Sequence, residues 1–281
     1  MDRLEDLWCR IERVLDRLEG PAPEPIDWKQ TLAARWLDET RALRPILRPH
    51  RIEPKHLLNI DDQKERVDAN TRQFVAGRPA NNVLLTGSRG TGKSSLVKAM
   101  LAKYARRGLR LIELEKAGLG HLPELFDRVA GEPYRYILFC DDLSFTAGEA
   151  GYPALKAALD GSLASPADNV LIYATSNRRH LMPEYFDENE ATRHIGNEVH
   201  PDEATEEKIS LSERFGLWVS FYPVDQAHYL AIARHWAQYL SGNPITQANF
   251  DAEALRWALG RGSRSGRVAW QFARDWVGRD N

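Results

Sequence analysis

The chain of 281 residues carries 38 Lys and Arg against 40 Asp and Glu, a net charge of −2, and 43% hydrophobic residues, so it can bury a sizeable core and is no disordered polyelectrolyte. That balance gives no global pull toward nucleic acid or anionic membranes, and the longest apolar runs are strand-sized. Cys9 and Cys140 are too few for a disulfide framework, and the acidic residues 1–6 lack the basic-then-apolar order of a secretory signal, so a soluble cytoplasmic protein is expected.

In residues 1–20, Leu4, Leu7, Trp8, Ile11, Val14, Leu15 and Leu18 share one helical stripe, which the proline-rich run from Gly20 to Pro25 ends. A second helical stretch is expected over residues 28–43. Residues 41–51, in which Pro45 and Pro49 interrupt Arg41, Arg44, Arg48 and Arg51, read as a solvated connection or as a basic arm. From His56 a regular alternation begins, with strands expected at 83–86, 109–114, 136–140, 170–174 and 217–222 and helices between most of them. Near-continuous apolar strands alternating with helices argue for a parallel sheet covered on both faces. After Asp225 the strand signal stops, and helices are expected at 225–239, 251–259 and 265–277.

The run Gly87-Ser88-Arg89-Gly90-Thr91-Gly92-Lys93-Ser94 matches the phosphate-loop pattern G-x-x-x-x-G-K-[ST] in full. Glycines let the backbone curl until successive N–H groups face phosphate oxygens, Lys93 brings a cation to the β and γ phosphates, and Ser94 offers a hydroxyl to Mg²⁺. The apolar strand before the loop, and the helix that continues through Ser95 after it, set a helix N-terminus against the anion. A second signal is Tyr136-Ile137-Leu138-Phe139-Cys140-Asp141-Asp142, an apolar strand ending in two carboxylates. Beside the loop strand, Asp141 is placed to hold Mg²⁺ with Ser94, and Asp142 to lie near an attacking water.

The strand Val170-Leu171-Ile172-Tyr173-Ala174 then runs into Thr175-Ser176-Asn177, and with this third element the chain resembles the AAA+ ATPases. The wording of residues 81–87, 139–144 and 176–181 is similar to a bacterial family of predicted ATPases carried as a domain of unknown function. The resemblance covers residues 56–281. It implies an α/β P-loop core with a five-stranded parallel sheet over residues 56–223, a helical lid over 224–281 and, before them, a helical N-terminal segment over 1–55. It also implies ATP and Mg²⁺ as ligands, Asn177 as the first sensor, Arg214 as the arginine finger and Arg267 as the second sensor. Arg178 and Arg179 compete with Arg214, and Arg261 and Arg264 with Arg267. The segment 57–64, with Ile60, resembles the part that packs on adenine.

The chain departs from the family pattern at Asp142, where most members carry Glu, so slow or partner-dependent turnover is implied. The stretch 116–121 has no aromatic residue, which disfavours threading a polypeptide by aromatic grip. Between Asn177 and Arg214 lies an acidic stretch, read as a surface insertion or as a docking loop for a basic partner; His194 and His200 within it have no metal-site spacing. The expected protein is an ATPase that remodels or loads a macromolecular partner as a ring or open ring, because a finger far from its own nucleotide acts on a neighbour's. The alternatives are a slow ATP switch that recruits a protein partner and a nucleic-acid loader, which the basic segment favours and the neutral net charge disfavours.

Overall fold

The computed structural model describes residues 25–145, 149, 151–160, 168–178, 181, 194–195, 198–199 and 211–279, with backbone alone at 194–195 and 198–199. The helical stripe expected in residues 1–20, Cys9, Arg179 and most of the acidic stretch lie outside the described residues.

Its first elements correct the helix expected over residues 28–43. β1 (Ala33–Leu37) and β2 (Ala42–Pro45) form an antiparallel hairpin with Trp36 opposite Leu43 and Leu37 opposite Ala42. A short apolar run fits either period. Here tertiary pairing decides, since Arg41 takes a left-handed φ of 47° to reverse the chain, and the hairpin then joins the main sheet. Part of the segment 41–51 is therefore an edge strand.

The remaining elements follow in the expected order: α1 (Asp61–Val75), β3 (Val83–Gly87), α2 (Lys93–Tyr104), β4 (Leu109–Glu113), α3 (Leu122–Val129), β5 (Arg135–Cys140), α4 (Gly151–Asp160) and β6 (Val170–Ser176). Two short strands, β7 (His194–Ile195) and β8 (Glu198–Val199), pair with each other apart from the main sheet. β9 (Leu217–Phe221) precedes α5 (Gln226–Ser241), α6 (Phe250–Gly260) and α7 (Gly266–Gly278). The main sheet has seven strands instead of the expected five, in the order β2-β1-β4-β5-β6-β3-β9, and every neighbouring pair but β1–β2 is parallel. The hairpin supplies the two extra strands. Its β1 lies beside β4 with Arg35 level with Glu113, and the two side chains pair at 2.7 Å.

Alternation along the strands divides the sheet's side chains between two layers. Leu84, Ile112, Leu138 and Ile172 point to the layer that holds Leu122 and Leu125 of α3 and Leu155 of α4. Val83, Leu85, Leu111, Ile137 and Tyr173 point to the layer of Val67 and Phe74 on α1 and Leu96 and Met100 on α2. Helices α5 to α7 have their own core, which includes Tyr229, Phe250, Phe272 and Trp276. Asp225 caps α5 by accepting from the His228 N–H at 2.8 Å, and Ser265 caps α7 by accepting from the Val268 N–H at 3.3 Å. Among the described residues no helix is long and apolar enough to cross a membrane.

Candidate functional site

β3 ends where β9 passes so closely that a Cβ on Gly87 would lie 2.0 Å from the Phe221 carbonyl oxygen, and Gly87 also takes φ 132°. Only glycine fits there. Gly90 and Gly92 have left-handed φ of 75° and 104°, which turn the chain into α2 at Lys93. The loop is closed internally by Thr91, whose hydroxyl donates to the Ser88 carbonyl at 2.9 Å. Ser95 is half-buried in the first turn of α2.

Lys93 is buried, and its ammonium folds back on its own loop, donating to the carbonyls of Gly87 at 2.7 Å and Ser88 at 2.8 Å and to Asn177 Oδ1 at 3.1 Å. Burial pushes its pKa down, against the pull of Asp141 and Asp142. Across from the loop, Ser94 Oγ donates to Asp141 Oδ1 at 2.6 Å. The expected hydroxyl and carboxylate are thus brought together, and they are the hard oxygen donors that Mg²⁺ takes. Among the described residues no group of three or more His, Cys, Asp and Glu could hold a metal.

Asp142 takes a left-handed φ of 54°. One carboxylate oxygen accepts from Asn177 Nδ2 and the other lies 3.5 Å from Arg89 Nη2, so Asn177 links Asp142 to Lys93. The residue that sequence reasoning missed is Thr175. It is buried at 1% exposure, its hydroxyl donates to Asp141 Oδ1 at 2.6 Å, and it accepts from the Asp142 N–H at 2.9 Å. The available signal was a polar residue closing an apolar strand, although its target becomes visible only once Cys140 stands beside Ala174 in the β5–β6 ladder.

The lid touches the loop through its own backbone. Gly266 N–H donates to the Gly90 carbonyl at 2.8 Å, and a Cβ on Gly90 would meet Ser265 at 2.8 Å and the Arg267 Cβ at 3.5 Å. Arg267 is therefore beside the loop and exposed, whereas Arg261 stacks over Trp257 at 5.1 Å and Arg264 reaches Gln226 at 3.5 Å. On the other side of the loop, Ile60 Cδ1 would lie 3.4 Å from a Cβ on Gly92. Leu57 and Ile60 pack on the sheet core while Leu58 packs on the lid core, so this segment lies where the two bodies meet. Arg178 is exposed near Asn177. Arg214 stands apart from this cluster in an ion pair with Asp160 at the end of α4, with Nε 2.5 Å from Oδ1.

A phosphate loop on β3, a carboxylate pair on β5, a polar end to β6, the order β4-β5-β6-β3-β9 and a helical lid define the AAA+ P-loop class of fold. The Orc1 protein of Aeropyrum pernix, solved in complex with DNA, shares this fold: it aligns at 14% identity over 78% of this chain and 61% of its own, with a TM-score of 0.51. Two variants of Thermotoga maritima RuvB align at 11% and 13% identity over 79% of this chain and 71% and 72% of theirs, with TM-scores of 0.46 and 0.45. The chain belongs to the family described as "Protein of unknown function (DUF815)", whose model matches residues 29–280. No curated protein matches its sequence.

Proposed function

We propose that the protein binds MgATP at residues 87–95 and hydrolyses it, and that a core over residues 56–223 and a lid over 224–281 move against each other as it does so. The observation that carries this reading is the bond from Ser94 Oγ to Asp141 Oδ1, which joins the loop hydroxyl to the strand carboxylate beside a buried lysine. Mg²⁺ would offset phosphate charge, with Ser94 and Asp141 holding it. Lys93 would exchange its two loop carbonyls for phosphate oxygens, and Asp142 with Asn177 would position the attacking water. Arg267 would read the nucleotide from the lid, and Ile60 would line the adenine side, a reading supported by their positions beside Gly90 and Gly92.

Arg214 would act on a neighbouring subunit's nucleotide in a ring or open ring, and the work done would be the remodelling or loading of a macromolecular partner. The test is Mg²⁺-dependent ATP turnover at increasing protein concentration for wild type, Lys93→Ala and Arg214→Ala. Specific activity that rises with concentration and is lost in both variants supports the reading, and ATP binding that survives Lys93→Ala overturns it. A second reading, a slow switch that holds a protein partner while ATP is bound, is favoured by the short side chain of Asp142 and its ties to Asn177 and Arg89. Its mark is tight ATP binding with negligible turnover at every concentration.

A further inference from the structure

Behind the phosphate loop, a groove of about 1090 Å³ lies between residues 49–53, the outer part of α2 and Tyr239 near the end of α5. Six of its lining side chains are Lys or Arg, namely Lys29, Arg51, Lys98, Lys103, Arg106 and Arg110, against one carboxylate, Glu53. Glu53 is taken by Lys55 at 2.9 Å, and Lys103 is neutralised by Asp68 at 2.7 Å. The other five cations have no carboxylate partner among the described residues. A chain of net charge −2 has therefore collected unpaired positive charge in one concavity.

Arg110 shows that this groove is more than a solvated basic surface. Its residue is 4% exposed, and its partners are all neutral: Nε donates to the Trp28 carbonyl at 2.7 Å, and Nη1 donates to those of Ala105 at 3.0 Å and Leu109 at 2.9 Å. The guanidinium lies 4.1 Å from the centroid of the Tyr134 ring, which also lines the groove. Nη2 has no hydrogen-bond partner among the described residues. Burying a cation without a counter-ion is costly, and a guanidinium with free N–H groups at the wall of an open groove is built to meet an oxyanion.

We propose that this groove binds the phosphates of a single-stranded nucleic acid. Arg110 holds one phosphate, and Lys29, Arg51, Lys98 and Arg106 hold its neighbours. These cations come from separate stretches of chain, which suits a row of phosphates better than one small anion. Tyr239, 58% exposed at the rim, offers a face on which a base can stack. Helix α2 starts at Lys93 in the phosphate loop and reaches the groove at Lys98 and Lys103, so strand and nucleotide sites share one rigid element. The proposal itself rests on no part of the nucleotide reading.

The test is fluorescence anisotropy of an end-labelled dT 20-mer with the full chain. If about five phosphates are neutralised, affinity falls roughly 100-fold between 50 and 200 mM salt. The double variant Lys98→Ala, Arg106→Ala is expected to flatten the slope of log K against log salt by about 1.4. Lys93→Ala is expected to bind the oligonucleotide as wild type does, which separates this groove from the phosphate loop. The proposal is overturned by no binding at 50 mM salt, by a slope unchanged in the double variant, or by loss of binding in Lys93→Ala. It is equally overturned if a duplex binds as tightly, or if inorganic tripolyphosphate displaces the 20-mer at equal phosphate concentration, which would make this a small-anion site.

Discussion

His56 Nδ1 lies 3.0 Å from His235 Nε2, joining the short turn Pro54–His56 of the core to α5 of the lid. His56 also stacks on Trp236 at 5.2 Å between centroids and meets the edge of Tyr239 at 4.4 Å. One imidazole must donate and the other accept, so the contact requires that they are not both cations.

Burial pushes both imidazoles below their ordinary 6.5, and Lys55 lowers His56 further while Glu53 opposes it. The unfolded chain then binds more protons between the lowered folded values and 6.5, so stability rises with pH across that window. It is fully present above 6.5 and is lost as pH falls toward the folded values. Thermal melts from pH 8 to pH 5 should show wild type losing Tm more steeply than the variant His56→Gln, His235→Gln. Parallel curves would remove the pair from the lid contact.

Thr175→Val keeps the shape of a buried side chain and deletes both of its hydrogen bonds, leaving the Asp142 N–H without its partner. The expected cost is about 1–3 kcal/mol of stability. Because Asp141 then keeps only the bond from Ser94, the Mg²⁺ concentration needed for half-maximal nucleotide binding should rise about tenfold, roughly 1.4 kcal/mol. Titration of Mg²⁺ at fixed nucleotide checks this, and an unchanged midpoint would limit Thr175 to a structural role.

Gly90→Ala introduces a Cβ at φ 75° and 2.8 Å from Ser265. Left-handed strain alone costs about 1–2 kcal/mol, and the lid must also retreat from the loop. Nucleotide affinity should fall at least tenfold, read by fluorescent nucleotide binding. Gly120→Ala, where nothing lies within 4 Å, is the control that should bind as wild type does.

If Arg214 serves a neighbouring subunit, it must leave Asp160 to do so. Arg214→Ala should then lower kcat by about 10³ or more, while Asp160→Asn, which removes the ion pair with Asp160, should not lower it. Steady-state kinetics at high protein concentration distinguishes this from a tether, for which both variants would turn over ATP as wild type does.

The legible parts of this chain were those encoded within one stretch. Val83 to Gly87 is an apolar strand that runs into glycines at loop spacing, and Asp141 and Asp142 follow a strand buried on both faces. The hairpin was not legible, because Ala33, Ala34 and Trp36 suit a helix or a strand until β4 lies beside them. The role of Thr175 depends on the register between β5 and β6. The partner of Arg214 is 54 residues away, and that of His56 is 179 residues away. Pairings at such separations are set by packing and leave no local pattern.

The hairpin at one margin of the sheet and β9 at the other are six strand spacings apart, about 29 Å at 4.8 Å each. The phosphate loop leaves β3, next to β9, and the chain passes from β9 directly to the lid. If the lid moves as proposed, its hinge lies at one margin of the sheet and the hairpin stands at the other. Cargo clasped by both would be pulled across the breadth of the sheet, whereas cargo clasped by the hairpin alone would ride without moving.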